Sequence, residues 1–143
     1  MTFESLIEHF GTRGLRVSDV ERYLDAGGDI DRHDERMGYT LLHFAAENCD
    51  ADLIRYLASR GAALQVCDRN GWTPLHTATD SDLDKSPRDG RVAADLPTVR
   101  ALLEIGADES ARSTDGQTAR DIARNYGQAS LYDSVLRGSA AQQ

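Results

Sequence analysis

Apolar side chains return at three- and four-residue intervals along much of the chain, first at Leu42, Ala45 and Ala46 and then at Leu53, Ile54 and Leu57. That spacing places each set on one side of a helix, so two short amphipathic helices are expected, and a single helix pair could not bury both stripes alone. Gly61 follows the second stripe, and Gly106 follows the stripe of "TVRALLEI", at the place where a left-handed residue ends a helix. Asn70-Gly71 and Asp115-Gly116 are tight-turn pairs. Thr73 can cap free amides at a helix start, and Pro74 behind it forfeits no hydrogen bond, because the first amides of a helix are unpaired anyway. The predicted unit is helix, helix, hairpin-like turn.

The unit recurs. Thr40 and Thr73, Leu42 and Leu75, and His43 and His76 each stand 33 residues apart. A third opening begins at Gly116 in "GQTARDIARNYG", 45 residues after Gly71, which leaves 12 inserted. Upstream, Val20, Tyr23, Leu24 and Gly27 stand where Ile54, Leu57, Ala58 and Gly61 stand later. Self-similarity at this period means stacked units whose shared core none could bury by itself.

The pattern resembles the ankyrin repeat, with its period of about 33 residues and T-P-L-H-x-A signature, matched by Thr73, Pro74, Leu75, His76 and Ala78 and followed by "LLEIGAD" at Leu102 to Asp108. Leu41 replaces the signature proline in the second unit, Ala63 the aspartate after its glycine, and Ala119 and Asp121 the proline and histidine of the fourth, while the first lacks the opening signature. Such losses fit terminal units, which turn one face to water. The resemblance implies an all-α ankyrin repeat solenoid of about four units, about 3–36, 37–70, 71–115 and 116–138, with irregular caps. Residues 1–138 form the single domain and 139–143 a frayed tail, with an inserted loop over about 80–95.

Charge narrows the partners. With 24 acidic against 16 basic side chains in 143 residues, the formal charge is −8, which repels nucleic acid and anionic membranes and attracts a basic partner. The N-terminus does not read as a secretory signal and no stretch approaches a membrane span, so a cytoplasmic chain, monomeric by itself, is expected. Cys49 and Cys67 are too few for a disulfide framework, and their places in a unit, one between helices and one near a hairpin, forbid pairing.

Candidate chemistry is thin. His43 and His76 recur with the repeat, so they are read as imidazoles bonded to the turn that starts each helix, not as catalytic bases. Phosphate-loop and zinc-protease patterns do not occur. "DSDLDKSPRDGR" at residues 80–91 keeps Asp80, Asp82 and Asp84 of a calcium loop, but puts Lys85 where a glycine must turn and Arg91 where a bidentate glutamate must close the shell. No metal, cofactor or catalytic activity is expected. The first helix of the third unit should run to about Thr79 and the second resume near Leu96, Pro97 and Thr98. The stretch between, with turn chemistry at Ser86-Pro87 and Asp89-Gly90, is either a solvated excursion or an extra binding lip. It resembles acidic loops of small single-domain bacterial ankyrin proteins.

In ankyrin proteins the hairpin tips and first helices line a concave groove. Carried over by position, the resemblance implies partner contacts from Tyr39, Trp72 and Gln117 after the unit glycines, from Arg69, Asn70, Arg112 and Thr114 around the turns, and from Glu47, Asn48, Asp80 and Tyr126 on the first helices, with Asp82 and Asp84 on the insertion. Cys67 also falls near a turn. The expected function is non-catalytic binding of another protein, through inhibition or sequestration, in a sharper version as an immunity or antitoxin-like protein against a basic toxin. The alternative is an adaptor or regulatory subunit of a complex without a toxin.

Overall fold

The computed structural model describes residues 2–8, 14–85 and 95–141, with side chains as far as 138. Among these, eight helices follow one another and no strand is formed: α1 Phe3–Glu8, α2 Val17–Asp25, α3 Leu41–Glu47, α4 Ala51–Ser59, α5 Pro74–Asp84, α6 Pro97–Ile105, α7 Ala119–Asn125 and α8 Ala129–Ala141. They pair as α1 with α2, α3 with α4, and α7 with α8, while α5 pairs with α6 across the insertion. First helices stack in one row, α3 on α5 on α7, and second helices in another, α4 on α6 on α8.

Both rows share one core. Leu42 and Ala46 of α3, Ile54 and Leu57 of α4, Leu75 and Ala78 of α5, Val99 and Leu102 of α6, and Ala123 of α7 are all within 1% of complete burial. The small residues at Ala46, Ala78 and Ala123 let successive first helices approach closely, and the leucines fill the space between rows. At the N-terminal end Phe3, 1% exposed, lies tilted against Tyr23 with ring centroids 6.0 Å apart, so α1 stands in for the opening helix that lacks its signature.

Gly61 and Gly106 do end their helices in the left-handed region, at φ 90° and 111°. Cys49 does the same after α3 at φ 53°, the one side-chain-bearing residue there among those described. Its amide reaches Ala46 O and the amide of Asp50 reaches Ala45 O, both at about 3 Å, which satisfies the last carbonyls of α3.

The third unit departs from expectation. Helix α5 continues five residues past Thr79 to Asp84, so Asp80, Asp82 and Asp84 lie on a helix and not in a loop. The cause is burial: Leu83, 6% exposed, extends the inward spacing of Leu75, Ala78 and Thr79 by one more turn. Helix α6 then begins at Pro97, as its sequence indicates. Residues 86–94, with Ser86-Pro87, Arg88, Asp89-Gly90 and Arg91, lie outside the described residues, so the choice between excursion and lip falls there.

Candidate functional site

Each hairpin tip is tied down by its first polar residue. Asp34 Oδ1 accepts the amides of Met37 and Tyr39 at 3.1 and 2.8 Å, and Asp68 Oδ1 those of Asn70 and Trp72 at 2.8 and 3.0 Å. In the third hairpin Ser113 Oγ accepts the Gln117 amide at 3.2 Å. Neighbouring tips bond through their backbones, Arg69 N to Met37 O and Thr114 N to Asn70 O, each at 3.0 Å. The tips are thus a continuous rigid edge along one side of the solenoid.

Histidines couple that edge to the helices. His43 Nδ1 accepts the Thr40 amide at 3.2 Å and its Nε2 faces Trp72 O of the next unit at 2.8 Å. His76 repeats this with the Thr73 amide at 3.2 Å and Gln117 O at 2.8 Å. Accepting at Nδ1 and donating from Nε2 fixes one neutral tautomer. Burial holds both imidazoles below the ordinary histidine pKa, against the opposing carbonyl hydrogen bond. The structural reading of these residues holds, and the link to the following unit is an addition to it.

Tyr39 corrects an expectation. Its ring is 6% exposed, stacked on His43 at 5.2 Å and set edge-on to Phe44 at 5.3 Å, so it packs inside the first hairpin and presents no ring to a partner. Burial, with the Glu47 carboxylate next in weight, pushes its phenol above the usual range. Trp72, stacked on His76 at 6.0 Å, keeps part of its surface open.

Asp82 is the second correction. It is 7% exposed, and its Oδ2 accepts the amides of Thr98 and Val99 at 3.0 and 3.1 Å. Leu96, at the N-cap of α6, has no side-chain oxygen to offer, so the preceding helix supplies the cap across the insertion. Burial raises the Asp82 pKa while the Val99 amide opposes the rise, and the neighbouring Cys49 thiol is pushed up to about 11 by burial. Asp82 and Asp80, two apart on a helix, face different ways and cannot converge on one ion. Among the described residues no group of three His, Cys, Asp or Glu is placed to hold a metal, and both cysteines are free thiols.

The remaining residues do gather. Glu47, Asp80 and Tyr126 come one from each of the stacked first helices α3, α5 and the end of α7, and the Tyr126 hydroxyl donates to Asp80 Oδ1 at 2.8 Å. Burial raises the Glu47 pKa; Lys85 opposes that and Asp80 adds to it. Lys85, read in the sequence only as the residue that breaks a calcium loop, donates from Nζ to Glu47 O at 2.6 Å. Along the tips Asn70, Thr114 and Arg112 are exposed, Arg112 donating to Gly116 O at 2.8 Å and Arg69 to Glu35 O. Gln117 is half-buried; Asn48 is exposed and lies so close to Gly14 that a Cβ there would meet its amide at 2.3 Å. Asp84 is exposed at the end of α5. The result is a polar row on the first helices beside a rigid tip edge.

Comparison with known proteins gives the same repeats. Residues 13–86 match the family described as "Ankyrin repeats (3 copies)", and residues 70–114 match "Ankyrin repeat". The chain is 33% identical to tyrosine-protein kinase HTK16 of Hydra vulgaris over 62% of this chain and 15% of that protein. It is 32% identical to BTB/POZ domain and ankyrin repeat-containing protein NPR5 of Oryza sativa over 90% of this chain and 23% of that protein. A third relative, NF-kappa-B inhibitor zeta of Bos taurus, is 27% identical over 89% of this chain and 17% of its own length. The chain therefore spans less than a quarter of each, and all three are eukaryotic rather than bacterial.

Proposed function

Because the chain belongs to the ankyrin repeat family, we propose that it is a non-catalytic module that binds another protein along its first helices and hairpin tips, and that it inhibits or sequesters that protein. The observation that carries this reading is the row Glu47, Asp80 and Tyr126, contributed by three successive first helices. Side chains from separate units held on one rigid edge suit an extended partner surface and not a small substrate. Trp72 and Tyr126 are residue types that anchor interfaces. A formal charge of −8 favours a basic partner.

The sharper version, an immunity or antitoxin-like protein covering a basic toxin, is supported by acidity and compactness alone, while the relatives named above are eukaryotic. No helix among the described residues is long and apolar enough to cross a membrane. The test is capture from the source cell's lysate by the immobilised chain, beside Trp72→Ala and Asp80→Asn/Tyr126→Phe variants. One partner retained by the parent and released by both variants supports the reading; a partner retained equally by all three removes it from this face.

A further inference from the structure

A groove of about 440 Å³ opens between α1, the first hairpin and α3, next to the polar row. Ile7, Met37 and Phe44 give it an apolar lining. Met37, at the hairpin tip, is 46% exposed, the most open of the large apolar side chains among the described residues. One exposed apolar side chain is ordinary on a protein surface by itself; what sets Met37 apart is the acidic lining beside it.

The polar part of the lining has one sign in excess. Among the described residues Glu8, Asp34 and Glu47 face one base, Arg36, and an adjoining cavity of about 220 Å³ that shares Ile7, Asp34 and Arg36 adds Glu4 and Glu35. Glu4 is paired with Arg32, and Asp34 is fixed by the amides of Met37 and Tyr39, which orient its charge without neutralising it. Burial is the main cause that raises the Glu47 pKa, with the attraction of Lys85 larger than the repulsion of Asp80, so what an incoming cation would offset is the desolvation of that carboxylate. Because Glu47 also ends the polar row, an occupant leaving the groove at that side runs directly onto Asp80 and Tyr126.

We propose that this groove is the anchor point for a partner segment that carries an aliphatic side chain beside an arginine or lysine. The aliphatic group sits against Met37, Phe44 and Ile7, and the cation reaches Glu47 and Glu8. This rests on the protein-binding reading and specifies where on the chain, and by what chemistry, the partner is gripped.

The test uses the full chain and a short fluorescein-labelled peptide with one leucine flanked by arginines, alongside versions with serine for leucine and glutamate for arginine. Saturable binding of the first peptide is expected, weakened about tenfold or more by either change. Met37→Ser and Glu8→Gln/Glu47→Gln should each weaken it similarly, while Asp52→Asn, an exposed acid on α4, should leave it unchanged; thermal melts of all variants check that they fold. Equal binding by all three peptides, equal loss in Asp52→Asn, or no saturable binding overturns the proposal. So does self-association that Met37→Ser abolishes, which would make a second copy the occupant. Binding that appears only when residues 9–13 are replaced by glycine and serine would make the chain's own segment the occupant, with the same effect. If the captured partner is lost by Trp72→Ala but kept by Met37→Ser, the groove fails and the interaction reading stands.

Discussion

Truncating Tyr39 to alanine should cost about 3 kcal/mol, the order expected for removing a buried aromatic ring, because that ring is enclosed between His43 and Phe44. Trp72→Ala, at the equivalent place in the next unit, should cost about 1 kcal/mol, since the indole is held chiefly by stacking on His76. Urea unfolding of the two variants checks the difference, and equal costs would refute it. Asp82→Ala should cost about 2 kcal/mol, more than an ordinary surface cap, because two amides of α6 are deprived of a buried acceptor together. Hydrogen exchange at Thr98 and Val99 reads that change directly; unchanged protection there would mean that another group caps α6.

Between elements the histidines are the fasteners, each joining a helix start to the hairpin of the following unit. Their folded pKa lies below the ordinary 6.5, so below pH 6.5 the unfolded chain takes up protons that the folded chain refuses. Stability should therefore be complete above pH 6.5 and fall as the pH drops from there toward the lowered values. Asp82 and Glu47, with raised pKa, push the other way as the pH falls. The histidine share is isolated by comparing melting temperatures of the parent and His43→Gln/His76→Gln between pH 7 and 5, with a shallower slope expected in the variant. The same slope in both would remove the histidines as its cause.

How much of this was legible in the sequence depends on distance along the chain. The bond between Thr40 and His43 spans three residues and recurs after 33, so spacing alone exposes it. The cap from Asp82 to α6 spans 16 residues across an insertion, and in the sequence Asp82 is one acid in an acidic run. The available signal was indirect: Leu96 cannot cap the helix that follows it, and Leu83 continues the inward spacing of α5. Tyr39 and Trp72 share a repeat position, and only Phe44, where the next unit has Thr77, closes over the first ring. The groove at Met37 was hidden because α1 carries no repeat signature.

For the molecule as a whole, charge governs encounter more than grip. A chain with 24 acids and 16 bases should associate with the arginine peptide faster at low ionic strength, losing about tenfold in association rate on going to high salt, with dissociation changing much less. Stopped-flow mixing at two salt concentrations measures both, and a salt-insensitive association rate would remove the charge from the mechanism.

The cap that Asp82 lends to α6 has a consequence for engineering. The cap on α6 joins Asp82 of α5 to the amides of Thr98 and Val99, two groups that lie on either side of residues 86–94 in the chain. A protease site written between them would leave the carboxylate on one piece and the amides it caps on the other. The protein could then serve as a two-fragment reporter that reassembles on mixing, with Asp82→Ala as its built-in off state.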